Sequence, residues 1–252
     1  MLGAIIGDIV GSRFEFHNTK KYDFGELFNN YCSFTDDTIC TVAIADALLH
    51  EGGDYKECLV KWCRKYPHPM GAYGASFARW IDNPVPYDSF GNGAAMRVSP
   101  VAWACGTTSE VLREAIATAS VSHNHPEGIK GAQATALAIY SLAHSKNKDI
   151  VKSIEQLFYD VERKYERGVF DETCQGTVPV ALRIIADSSS FEDAIRLTMA
   201  WGGDSDTLGA IVGSMAEALY GIPKDIERKA MSYLPADMKK VVKKFYKTFM
   251  GV

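Results

Sequence analysis

This chain of 252 residues is short of several things that would place it quickly. Its six cysteines, at positions 32, 40, 58, 63, 105 and 174, show no Cys-x-x-Cys spacing and no dense framework. Free thiols in a reducing cytosol are the simplest reading, and a disulfide scaffold is excluded. No Lys/Arg-rich block occurs, and a net charge of -4 with a pI near 5.9 argues against a general nucleic-acid binder. There is no Walker A loop and no Gly-x-Gly-x-x-Gly. No uninterrupted apolar run is long enough to cross a bilayer. The opening "MLGAIIGDIVGS" is glycine-rich, is broken by Asp8 and lacks the basic start of a signal peptide. A cytoplasmic protein with no membrane contact is expected.

What is present is an ordinary globular composition, 47% hydrophobic and 23% charged, with no low-complexity linker to divide it. One domain over 1–252 with a substantial core is expected, and a monomer. Apolar positions recur at three- and four-residue spacing, and sustained two-residue alternation is missing, which predicts an all-α fold. Helices are expected at 36–50, 55–66, 109–121, 127–144, 150–165, 177–187, 191–201, 207–220 and 235–249, the last with a basic outer face in "KKVVKKFYK". Runs that are apolar on most sides should form the centre. The longest irregular stretches, 16–34 and 81–108, lie beside candidate site residues, and loops of that length are more often functional than idle.

Two acidic patches carry the chemistry. "SFTDDTIC" at 33–40 leads into an apolar run, and no Lys or Arg occurs between Ser33 and Asp54. Helix capping is the ordinary meaning, with Thr35 as N-cap and Asp36 and Asp37 in the first turn. "WGGDSDT" at 201–207 repeats the arrangement, again with no Lys or Arg from Leu197 through Pro223. Here Ser205 or Asp206 would be the cap. Capping explains each patch but not the pair. Four carboxylates entering a core need compensation. Hard divalent cations ask for such oxygen ligands, and a threonine hydroxyl can complete the shell. If the two helix starts meet, they suit a two-metal site.

Two further stretches bear on a ligand. "SFGNGAAMRVSP" at 89–100 holds an Asn between glycines, which could present N–H groups to an anion such as a diphosphate, although a tight turn is the commoner meaning. Arg97 could support a phosphate or equally tie down a carboxylate. "SHNHPEGIKGA" at 122–132 has a His-x-His pair but no evident third zinc ligand, so a substrate-contacting or structural histidine is favoured.

With "GAIIGDIVGSRFE", "FTDDT", "GNGAAMR", "SHNHPEGIKGA" and "GGDSDTLGAIVGSMAEALYG" in that order, the chain resembles the ADP-ribosylglycohydrolase (ADP-ribosylhydrolase) family from Leu2 to about Gly221. The resemblance implies a compact all-α fold with two magnesium or manganese ions in a cleft. It implies Thr35, Asp36, Asp37, Asp204, Asp206 and Thr207 as metal ligands. It places Glu15 near the metals and the scissile ribose, and Gly91, Asn92 and Gly93 around the diphosphate. Phe90 would stack on adenine and His123 would contact ADP-ribose. Glu15 or Asp206 would handle the protons of glycosidic cleavage. The plainer alternatives are that Glu15 pairs with Arg13 or Lys20, Phe90 is core and His123 caps a helix.

The implied partner is an ADP-ribosylated protein or small molecule, with ADP-ribosyl-arginine the first choice. ADP-ribosyl-serine, O-acetyl-ADP-ribose and a binding-only role are the alternatives, and loops 16–34 and 66–90 would discriminate among acceptors.

Overall fold

Local sequence sets most of the helix boundaries. Thr107 accepts from Glu110 N while Glu110 reaches back, a complete capping box. Asp54, Thr173 and Ser190 each accept from an amide in the first turn of the adjoining helix. The structure, a computed structural model that describes residues 1–251, has fourteen helices: α1 Leu2–Gly11, α2 Asp36–Leu48, α3 Tyr55–Lys65, α4 Ala75–Asp82, α5 Gly93–Met96, α6 Ser99–Ala104, α7 Thr108–Ser120, α8 Pro126–Ser145, α9 Ile150–Phe158, α10 Cys174–Asp187, α11 Phe191–Trp201, α12 Ser205–Tyr220, α13 Lys224–Tyr233 and α14 Ala236–Phe249. Among the described residues no strand forms, only isolated bridges at Thr35–Met70 and Gly91–Thr173. The all-α expectation holds.

The centre is built from α1, α2 and α12. Every residue of α1 is buried, as are Asp37–Ala47 of α2 and Ser205–Ala218 of α12. Helices α8 and α10 pack on α12, and α14 packs on α2. A helix this enclosed cannot be amphipathic, which is why its sequence reads as apolar throughout.

The contact between α1 and α12 is made by backbone. Glycines stand at every fourth position of α1 (Gly3, Gly7, Gly11) and at Gly209 and Gly213 of α12. A Cβ on Gly7 would lie 1.8 Å from Gly209 O, and one on Gly3 would lie 2.1 Å from Gly213 O. From the other side, a Cβ on Gly209 would stand 2.5 Å from Gly7 O. Neither helix can move away without opening the core. The close approach brings the end of α1 beside the start of α12.

Several boundaries differ from the sequence expectation. The helix expected over 150–165 stops at Phe158, where Tyr159 turns to extended backbone and frees an irregular segment up to Thr173. The stretch 81–108, expected to be irregular, contains the end of α4 and the short α5 and α6. Helix α4 falls inside 66–90, expected to be a loop, and α1 and α13 were not anticipated either: α1 carries three glycines in ten residues, and α13 is polar on most of its surface. Both are held by tertiary packing more than by propensity.

Gly7→Ala and Gly209→Ala should each lower stability by about 3 kcal/mol or more, a fall in melting temperature of roughly 6–12 °C. Gly106→Ala, whose Cβ would meet only Glu110 Oε2 at 3.6 Å, is the control and should change stability by less than about 0.5 kcal/mol. Thermal unfolding of the three variants checks this.

Candidate active site

The site is assembled where α1, α2 and α12 end or begin. Asp8, inside α1, points at the start of α2: its Oδ2 accepts from Thr35 N at 3.0 Å and Thr38 N at 3.1 Å, and also from the Thr38 hydroxyl. A carboxylate from another helix therefore takes up orphan donors of α2. Thr35 caps as expected, accepting from Asp37 N. Its hydroxyl and that of Thr207 each stand 3.4 Å from Asp37 Oδ2, so the two remote acidic motifs meet at that carboxylate. The cap of α12 is a correction. It is Asp204, not Ser205 or Asp206, and Asp204 makes no side-chain cap bond because its Oδ2 accepts from Asn92 Nδ2 at 2.7 Å.

Asn18 fixes the remaining edge. Its Nδ2 donates to Phe14 O at 2.6 Å and Gly203 O at 2.9 Å, and its Oδ1 accepts from Gly203 N at 2.6 Å. The loop leaving α1 is thereby stitched to the loop entering α12, with Glu15 held between them.

These groups line a cleft of about 450 Å³. Six carboxylates face it (Glu15, Asp36, Asp37, Glu172, Asp204 and Asp206), and Arg97 is its only Lys or Arg. The consequence is electrostatic. Burial, then repulsion from Asp204 and Asp8, raises Glu15 to about 7. Burial raises Asp8 to about 6. Asp36, Asp37 and Asp206 are pushed well above the usual carboxylate range by burial first, then by repulsion from Asp8 on Asp36 and Asp37 and from Asp204 on Asp206, and Asp204 is raised chiefly by burial.

Most of the sequence candidates converge on this cleft. Glu15, Asp36, Asp37, Asp204, Asp206 and Thr207 line it, as do Gly91, Asn92, Gly93 and His123. Thr35 lies fully buried just beneath, reaching the cleft only through Asp37. Phe90 is 45% exposed at the rim, edge-on to His125 with ring centroids 5.3 Å apart, and does not line the cleft. Among the described residues Glu15 forms no ion pair with Arg13 or Lys20, and Arg13 donates to Glu26 O instead. The histidine that caps a helix is His125, which accepts from Glu127 N at the start of α8.

The glycine loop presents fewer amides than expected. Gly91 N donates to Ser89 Oγ and Asn92 N to Glu172 O, because the segment 159–173 runs against the loop. Arg97 ties down no carboxylate: it is fully buried and donates to Thr118 O and Ser122 Oγ. Sequence reasoning passed over Asp8, Phe77, Tyr87, Phe16, Phe170 and Glu172. Asp8 had one visible signal, a lone carboxylate inside an otherwise apolar run. The segment carrying Phe170 and Glu172 had none.

The donor set fits hard divalent cations in kind. Asp8 Oδ1, Glu15 Oε2, Asp37 Oδ1 and Asp206 Oδ1 are buried without a hydrogen-bond partner, and threonine hydroxyls stand among them. Among the described residues no three His, Cys, Asp or Glu side chains form a group that could hold a metal ion by itself.

The fold thus sets two acidic helix starts face to face beside a glycine loop within an all-α frame. The sequence profile of the ADP-ribosylglycohydrolase family matches residues 1–251, and the chain belongs to that family. It is 25% identical to "ADP-ribosylarginine hydrolase Tri1" of Pseudomonas putida, over 92% of this chain and 73% of that one. It is likewise 25% identical to "ADP-ribosyl-[dinitrogen reductase] glycohydrolase" of Rhodospirillum rubrum, over 88% of this chain and 84% of that one. The human "ADP-ribosylhydrolase ARH3" is 23% identical, over 94% of this chain and 90% of that one. A solved structure named "ADP-ribosylglycohydrolase-related protein complex" superposes with a TM-score of 0.77 over 99% of this chain and 96% of that one, at 23% identity, and shares the fold.

Glu15 and Asp8 have ordinary values of 4.5 and 3.8, both raised on folding, so protonation favours the folded state. Their stabilising contribution is complete below the unfolded values and is lost as pH rises through about 6 to 7. With chelator present, the melting temperature should therefore climb as pH is lowered from about 8 to about 5, and Glu15→Gln should reduce the climb. A curve that is flat or falls over that range would contradict the reading of the cleft.

Proposed function

We propose that the chain is a metal-dependent hydrolase that cleaves the glycosidic bond between ADP-ribose and an acceptor, with ADP-ribosyl-arginine on protein as the first acceptor. The observation that carries this reading is the meeting of Asp36 and Asp37 with Asp204 and Asp206 across one cleft, beside the Gly91–Gly93 loop, in a chain of this family. Thr35, Asp36, Asp37, Asp204, Asp206 and Thr207 would hold two divalent cations, magnesium or manganese. When bound, these orient the ribose hydroxyls and stabilise charge on the sugar.

The chain's own groups do the rest. Glu15, facing the cleft, takes a proton from the attacking water or passes one to the leaving group, and Asp206 is the other candidate. Asn92 fixes Asp204 through its amide, so the glycine loop and the second acidic motif move as one piece. Phe77 and Tyr87 wall the cleft and keep water from the bound sugar.

The arginine acceptor is supported by two features. Relatives bear the name ADP-ribosylarginine hydrolase. At the mouth, Phe16 and Phe170 stack with centroids 5.9 Å apart beside Glu15 and Glu172, a setting suited to a planar cation. We read the chain as one cytoplasmic domain that acts alone. No helix of the described residues is long and apolar enough to cross a membrane.

Purified protein assayed with magnesium or manganese should release ADP-ribose from ADP-ribosyl-arginine faster than from ADP-ribosyl-serine or O-acetyl-ADP-ribose. Turnover of none of the three would remove the enzymatic reading, and preference for another would move only the acceptor. Asp37 and Asp206 sit in the first turns of α2 and α12 but cap neither helix, so Asp37→Asn and Asp206→Asn test ligation directly. Elemental analysis should show metal lost from both variants while the fold persists. Near-normal metal content with normal turnover would remove Asp37 and Asp206 from the ligand set. Glu15→Gln should keep metal content and lower kcat by roughly 100-fold. Loss of metal in that variant would mark Glu15 as a metal ligand, and unfolding would mark it as a structural carboxylate.

A further inference from the structure

With Gly91 N and Asn92 N already bonded inside the fold, the glycine loop needs another donor if it is to hold an anion. His123 stands against the loop. A Cβ on Gly93 would lie 2.8 Å from its Nε2, and one on Gly91 would lie 3.5 Å away. The only hydrogen bond of the ring among the described residues is at the other nitrogen: Nδ1 lies 2.8 Å from Ser122 Oγ. That hydroxyl in turn accepts from Arg97 Nη2 at 2.8 Å, and the same nitrogen donates to Thr118 O at 2.9 Å. All three side chains are buried.

These bonds set the direction of each proton. A guanidinium donates and never accepts, so Ser122 Oγ is the acceptor of the Arg97 bond. Its single proton has one other neighbour, His123 Nδ1, which must then be unprotonated. The opposite tautomer would aim two donors at Ser122 Oγ and leave the hydroxyl proton buried without an acceptor. The imidazolium is disfavoured too. Phe77 and Tyr87 are the rings packed on His123, and burial with the nearby Arg97 charge holds it well below its ordinary range.

We infer that Arg97 and Ser122 are positioning residues that fix His123 as the neutral tautomer with its proton on Nε2, aimed at the glycine loop as the donor to a phosphate oxygen of ADP-ribose. The identity of the ligand rests on the proposed function; the tautomer does not. The relay uses only Nη2 of Arg97; Nε and Nη1 are buried without a partner, and the residue has no carboxylate partner among the described residues. Its charge faces one hydroxyl, one carbonyl and the ring of Phe77, 5.8 Å away.

Long-range proton–nitrogen NMR of the full chain labelled with 15N-histidine tests this, with the His123 signals assigned by their loss in His123→Asn. In the unaltered protein His123 should show a protonated Nε2 and a bare Nδ1. Ser122→Ala should shift the ring toward a mixture of tautomers and weaken ADP-ribose binding roughly fivefold, and Ser122→Thr should restore both. Arg97→Met frees the Thr118 carbonyl to compete for the hydroxyl proton and should move the spectrum the same way. Because that variant removes a buried group and can unfold the chain, Ser122→Ala carries the decision. A proton on Nδ1 or on both nitrogens in the unaltered protein, or a spectrum unchanged in folded Ser122→Ala, overturns the inference. The expected spectra in a protein that binds no ADP-ribose support the relay and overturn the proposed function alone.

Discussion

The backbone of α1 lies directly on the backbone of α12, and the site exists because it does. Where Gly7 faces Gly209 there is no room for a methyl group, so the helices are held at a separation that side chains would not permit. Glu15 leaves the end of one helix and Asp204 and Asp206 open the other. Had the contact been made by leucines, the axes would stand further apart and the carboxylates would be separated with them. The glycines thus shape the cleft, although none of the five lines it.

Against that fixed frame, the cleft concentrates charge of one sign. Six carboxylates face a cavity whose only Lys or Arg is tied to a carbonyl and a hydroxyl. Partial relief comes from inside: Asp8 is bonded by two amides and a hydroxyl, Asp37 by two hydroxyls, and Asp204 by an asparagine. The oxygens left over on Asp8, Asp37, Asp206 and Glu15 have none. Buried oxygen without a partner is the usual mark of a position whose partner is an ion or a substrate.

How far this could be read from the chain depends on how local each signal is. Thr35 as the cap of α2 is a short-range pattern and was legible, as was the all-α class. The twin motifs pointed to each other only because both lacked a basic neighbour. The cap of α12 misled: a cap is assigned from the residues beside it, whereas Asp204 is engaged by Asn92, far away in sequence. Overextension of α9 had a similar origin, since the apolar spacing continues past Phe158 while the backbone turns away to deliver Phe170 and Glu172 to the cleft. The relation of Arg97 to His123 passes through a serine on a different segment. No spacing rule encodes it.

Asn18 gives the loop that begins there a particular standing. Its side chain fastens the loop's first turn to Gly203 and to the end of α1, so Glu15 is held by residues upstream of 19–34. The segment 19–34 is pinned along its whole length: Leu27, Phe28 and Cys32 enter the core, Arg13 donates to Glu26 O, and Ser33 N donates to Ser12 Oγ. In engineering terms it is a brace and not an insert: Gly25 O accepts from Arg196 of α11 and Asn29 O from Tyr233 of α13, so its length is not free to vary.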